Sequence, residues 1–272
     1  MQMLALVGIS LLCMLVSSVA MGLLVDMKSY AGMMVTQVVV TVFSFLLPVI
    51  WIAYRYYRGE WRSFWKIDFS GHAWLMAGVG VVAMMLLTPL NDWLTHWNDS
   101  WDLGTVGEMF RALQRQSEAL LEEMMSTDTV GGLFINLAVV ALIAAVCEEA
   151  FFRVGMQGIL QRWVGNPHVA IVVTAAIFSL FHMEVFAFMP RFVLGVLLGY
   201  LFHYGGSIVL NVTAHFFNNA VVVVLYWMVA RGVIDFDPAA PMNFHWSLIA
   251  GCSIAAVGVL WVSFGKKLKI NK

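Results

Sequence analysis

Apolar runs of about twenty residues recur along the chain between short polar connections, each long enough to cross the hydrocarbon of a bilayer as a helix. The pattern predicts eight such helices: Met3–Leu24, Tyr30–Tyr54, His72–Leu94, a fourth from near Gly131, His168–Phe188, a short Pro190–Tyr204, Ser207–Ala230 and His245–Phe264. The fourth continues past its apolar part through Gln161-Arg162-Trp163, and Gly165-Asn166-Pro167 stops it. A signal peptide competes for the first run, with Ser18-Val19-Ala20 as a cleavage site. No Lys or Arg precedes that run, however, and it is long for the apolar core of a signal, so a membrane helix is expected.

Two polar stretches break the pattern. Arg55-Tyr56-Tyr57-Arg58-Gly59-Glu60-Trp61-Arg62-Ser63-Phe64-Trp65-Lys66 alternates basic and aromatic residues straight after a span. In that place the mixture reads as an interfacial anchor, cations to lipid phosphates and aromatic rings at the headgroups, rather than a nucleic-acid surface. The second is Thr95–Asp128, within which Val106–Met125 puts Met109, Phe110, Leu113, Leu120, Leu121 and Met124 near one helical face and Arg111, Arg115, Glu118, Glu122 and Glu123 on the other. An amphipathic helix lying on the membrane or covering the bundle is expected there. The basic residues of the connections set the orientation. With the N-terminus inside, Arg55, Arg58, Arg62, Lys66, Arg162, Lys266, Lys267, Lys269 and Lys272 are inside, against Lys28, Arg111, Arg115, Arg191 and Arg231 outside. Both termini are therefore expected in the cytoplasm of a multi-pass protein, in the plasma (inner) membrane if the source is bacterial.

Composition agrees. The 272 residues are 61% hydrophobic and only 11% charged, with net charge −1, which leaves no basic field for nucleic acid. Cys13, Cys147 and Cys252 sit unpaired in apolar runs and read as small hydrophobic filler. Residues 1–272 are expected to form one all-α polytopic bundle of about eight transmembrane helices, with the chemistry between about 131 and 230.

That chemistry is carried by polar residues in otherwise apolar spans, where an ionisable group is expensive and marks function. The first cluster is Glu148-Glu149 with Arg153, the second Phe178 to His182, and the third His215 to Asn219, with Asn211 and Thr213 just before it. Residues four apart share a helix face, so Arg153 neutralises Glu149 and leaves Glu148 without a local partner. A carboxylate so placed suits general acid–base work. An imidazole from another helix is its expected partner, and His182 is the candidate; together they hold and deprotonate a water. His215 and Asn219, on one face, supply donors for an oxygen on which charge develops. Taken singly, a membrane histidine commonly hydrogen-bonds a backbone carbonyl, and an asparagine such as Asn211 or Asn218 commonly joins helices. The three clusters together fit those readings poorly.

Glu148-Glu149-Ala150-Phe151-Phe152-Arg153, Phe178 to His182 and His215 to Asn219 match, in order, the EExxxR, FxxxH and HxxxN/D motifs of successive membrane helices in one family. On these residues the chain resembles the CPBP intramembrane proteases, which include the CAAX prenyl-protein endopeptidases and the bacterial Abi proteins. The likeness covers about Leu142–Val222. It implies a glutamate-type endopeptidase in which Glu148 and His182 activate water and His215 and Asn219 form an oxyanion hole. Glu149, Arg153 and Phe178 would be supporting residues, and the substrate a peptide or protein in or at the membrane. No cofactor is expected. HExxH is missing, and the likeness favours metal-free water activation; a zinc ion would use Glu148, His182 and His215. Two other classes compete: a non-catalytic scaffold or bacteriocin-immunity-like protein, and a proton-coupled transporter, for which no inverted repeat is visible. By residue count Glu148 and His182 come out at unequal depths, and a cavity open to the cytoplasm is expected. Asn-x-Ser/Thr occurs at Asn98 and Asn211 and decides nothing.

Overall fold

The computed structural model describes residues 1–235, 237 and 242–270, the last five of these by backbone alone. Pro238 and Pro241 of the loop before the last helix, and the side chains of the basic tail, lie outside the described residues. Ten helices form among those described: α1 (Gln2–Leu24), α2 (Tyr30–Tyr56), α3 (Trp61–Trp65), α4 (Gly71–Asp99), α5 (Gly104–Met125), α6 (Val130–Val164), α7 (Pro167–Phe181), α8 (Phe188–Gly205), α9 (Ile208–Ala230) and α10 (Trp246–Ile270). Seven of them are long and apolar enough to cross a membrane. The bundle is all-α and polytopic, as the apolar pattern predicts.

The fifth expected span is shorter than predicted. The predicted helix over His168–Phe188 is only Pro167–Phe181, fifteen residues, or about 22 Å at 1.5 Å per residue, short of the ~30 Å hydrocarbon core. The chain then turns through Met183, whose φ is 56°, and a single 3₁₀ turn, Val185–Ala187. His182 is thus the cap of a helix rather than a residue inside one. α4 errs the other way. It runs on ten residues beyond Pro89, past the predicted end at Leu94, and carries Asn98 into the protein.

Side-chain and backbone contacts tie the loop ends into two ends of the bundle. At one, the Tyr57 hydroxyl donates to Gln2, the Arg162 guanidinium lies 4.8 Å over the Tyr57 ring, Ile208 N–H donates to the Lys66 carbonyl, and Tyr204 packs on Phe264. Both the first and the last helix therefore reach the basic Arg55–Lys66 end. At the other, the Tyr30 hydroxyl donates to Asn136, Asn136 to the Met124 carbonyl, and the Trp227 indole to the Thr129 carbonyl. The amphipathic helix α5 covers this second end.

The core lies around the middle of α6. Its Ala150, Phe151, Phe152, Val154 and Met156 are almost wholly buried, and α1 reaches them with Leu6, which rests against Gly155. α7 and α8 form a hairpin whose close approach uses Gly195 and Gly199, four residues apart on α8. A Cβ on Gly199 would lie 2.7 Å from Ile171 Cγ2, and one on Gly195 3.0 Å from the Ala175 Cβ.

Candidate active site

α6 is not a uniform α-helix. π-helical turns span Leu137–Ile143 and Ala150–Gln157, and the α-helical stretch between them, Ala144–Glu149, carries the two glutamates. Such turns are uncommon and occur frequently at functional sites. The adjacent carboxylates have unlike surroundings.

Glu149 is fully buried and saturated. Arg153 Nε donates to its Oε2 at 3.0 Å, the spacing-predicted pair, and Asn211 Nδ2 donates to the same oxygen at 3.0 Å. His215 Nδ1 meets Oε1 at 3.0 Å, donating to it, since an ionised carboxylate only accepts. Asn211 also donates to the Leu198 carbonyl at 2.7 Å, so one side chain joins α6, α8 and α9. Arg153 is likewise fully buried, lies 5.2 Å from the centre of the Phe178 ring, and leaves Nη1 and Nη2 without a hydrogen-bond partner among the described residues.

Glu148 is the open one. It makes no hydrogen bond among the described residues, its side chain is 15% exposed, and its nearest charged partner is His215 Nε2 at 3.8 Å. The sequence pairs Glu148 with His182; the structure makes His215 the imidazole between both glutamates. His182 ends α7, and its Nδ1 is 2.8 Å from the Phe178 carbonyl. A carbonyl only accepts, so that nitrogen carries the proton, and the neutral ring keeps its lone pair on Nε2. Phe178, 4% exposed, makes edge contacts with both histidines, at 4.9 Å to His182 and 6.1 Å to His215 between ring centres. The FxxxH phenylalanine is therefore an apolar wall shared by both imidazoles and the arginine. Asn219 lies one turn beyond His215 on α9. Its Oδ1 accepts from Asn218 Nδ2 at 3.3 Å, which leaves its own amide N–H groups as donors. The residue counts that put these groups at different depths assumed eight straight α-helices. α6 carries two π-helical turns, and α7 stops at His182.

Spacing along the sequence did not assign Asn211 a role in the site. Its one signal was a polar side chain four residues before His215 on an apolar helix. Both Asn211 and Asn98 are fully buried and donate their amide N–H to protein acceptors, so neither is placed as a glycan acceptor. Among the described residues no three His, Cys, Asp or Glu side chains are grouped as a metal would need, Glu148, His182 and His215 included. An apolar cavity of about 410 Å³ runs beside the same helices, lined by Trp65, Trp74, Val146, Ala150, Ile208 and Val212 among others.

Residues 130–221 match the family described as type II CAAX prenyl endopeptidase Rce1-like. The match covers about a third of the 272 residues. The matched segment starts where α6 starts, ends within α9, and contains all three motifs. No curated protein and no solved structure matches it.

Proposed function

We propose that the chain is a glutamate-type intramembrane endopeptidase in which Glu148 is the working carboxylate and no metal takes part. The observation that carries this reading is the contrast between the two glutamates. Glu149 spends its oxygens on Arg153, Asn211 and His215, whereas Glu148 keeps both of its own clear of hydrogen bonds. A general base must have a free lone pair beside the reacting water.

In this mechanism a water lies between Glu148 and the Nε2 lone pair of His182. Glu148 takes its proton as the oxygen attacks the substrate carbonyl, then returns it to the leaving amine. His215, its Nδ1–H held by Glu149, points Nε2 toward the reaction. As an imidazolium, His215 donates its Nε2–H to the oxyanion together with the Asn219 amide. Phe178 keeps this surround apolar, which strengthens both interactions. The apolar cavity beside Val146 and Val212 accepts an apolar part of the substrate, a peptide entering from the end bearing Arg55–Lys66 and Arg162. That end faces the cytoplasm in this reading, because its connections hold most of the basic residues.

The test compares the peptides of cells carrying the wild-type chain and Glu148→Gln, then assays both purified proteins on the peptide that accumulates uncleaved. Glu148→Gln is expected to insert and fold normally and to abolish cleavage. Hydrolysis retained by purified Glu148→Gln overturns the role given to this residue.

A further inference from the structure

The turn that follows His182 is not built to stand alone. Met183 has φ 56°, the left-handed region that costs a residue with a side chain. The next helix, α8, has no capping side chain from its own N-cap residue Ala187. Its first-turn N–H groups therefore need partners from elsewhere.

Those partners come from a helix distant in sequence. Asn98, fully buried near the end of α4, accepts from Met189 N–H at 2.7 Å and donates from Nδ2 to the Val185 carbonyl at 3.1 Å. One amide thus spans the turn, capping the start of α8 and holding the 3₁₀ segment. A second hold comes from α5. Ser117 donates to Glu184 Oε1 at 3.0 Å, and Glu184 is also paired with Arg191 of α8. The Arg111 guanidinium lies 3.8 Å over the ring of Phe186, which is buried against Gly107. Each of these contacts holds a residue between Glu184 and Met189, two to seven positions after His182.

We infer that Asn98 is a positioning residue for His182, acting through the turn it clamps, with Ser117 of the covering helix α5 as the second hold. The inference rests on the proposed role of His182 in water activation. The His182 backbone N–H bonds to the Ser179 carbonyl and its ring Nδ1 to the Phe178 carbonyl, both on its own helix, so its ring goes where the end of α7 goes. Ser179, three residues before His182, donates to the Phe188 carbonyl at 2.7 Å, and the clamp holds the segment between these two anchored points. The covering helix is then part of the catalytic architecture.

The experiment uses the full-length protein in detergent and reads His182 directly. Diethyl pyrocarbonate carbethoxylates imidazole nitrogen, and peptide mass spectrometry gives the rate at His182 against the exposed His72 and His245 of the same molecule. In Asn98→Ala the relative rate at His182 is expected to change by about threefold or more as the turn opens. Asn98→Asp, which keeps the acceptor for Met189 but faces Val185 with a second acceptor, should give a smaller change. Ser117→Ala tests the α5 hold if neither Asn98 variant folds. On a cleavable peptide, kcat should fall about ten- to a hundredfold with KM within about twofold, the mark of a misplaced catalytic group. Gly199→Ala is the control for general loosening, since it strains the α7–α8 contact away from the turn. The inference is overturned by an unchanged His182 rate in a folded Asn98→Ala, or by an equal change in Gly199→Ala. The labelling does not depend on turnover. A wild-type protein that cleaves nothing would defeat the peptidase reading while the labelling still decides the clamp.

Discussion

Neighbouring glutamates on one helix should separate stability from activity. In Glu149→Gln the new amide still accepts from Asn211, but Arg153 remains buried at 0% exposure with no counter-charge. Its Nη1 and Nη2 have no hydrogen-bond partner among the described residues, so nothing nearby takes up the loss. Breaking a buried pair by removing one partner costs about 3–5 kcal/mol. That is a large share of the ~5–15 kcal/mol that holds a folded protein together. Glu148→Gln removes a side chain with 15% exposure and a single 3.8 Å approach to His215. Its cost should stay within the ~1 kcal/mol of a weakly held ion pair. The assay is equilibrium unfolding of the purified proteins in mixed micelles with added sodium dodecyl sulfate, followed by tryptophan fluorescence. Glu149→Gln should unfold at markedly lower denaturant, and Glu148→Gln close to wild type though inactive. The double variant Glu149→Leu, Arg153→Met should recover part of the loss, because the orphaned charge is gone with its partner. Equal destabilisation by the two Gln variants, or none from Glu149→Gln, would refute the division of the pair into brace and base.

Two further outcomes test the site and its frame. Extensive dialysis against EDTA should leave peptidase turnover within about twofold of the untreated protein, because water activation is assigned to Glu148 and His182; loss of activity restored by added zinc would reverse that assignment. Gly199→Ala should destabilise by about 1–3 kcal/mol, since its Cβ would lie 2.7 Å from Ile171 Cγ2, whereas Gly8→Ala, with nothing within 4 Å, should be neutral or slightly stabilising in the same unfolding assay.

The features legible in the sequence are those set by local period and composition. The apolar runs mark α1, α2, α6, α9 and α10 to within a few residues at most ends, because a membrane demands a fixed length of unbroken apolar helix. The amphipathic spacing of Val106–Met125 returns as α5. Glu149–Arg153 is a four-residue relation on one helix, and such a pair is fixed by helical geometry before any packing occurs. The Gly195/Gly199 contact is legible for the same reason.

What the tertiary structure decided begins where the relation crosses helices. His215 meets Glu149 across 66 positions and Asn211 meets it across 62, and no period in the chain encodes either encounter. The end of α7 was equally hidden. Phe181 to Met189 offers no Gly or Pro to announce a break, so an apolar count runs straight through it. The chain turns there because buried Asn98 supplies the hydrogen bonds that a broken helix would otherwise lack. The sequence alone thus determined a polytopic helical bundle bearing two glutamates, two histidines and a brace. Packing alone decided that His215 lies between the glutamates, that His182 ends its helix, and that Glu148 is left open: each depends on which distant groups satisfy the polar atoms buried in the bundle.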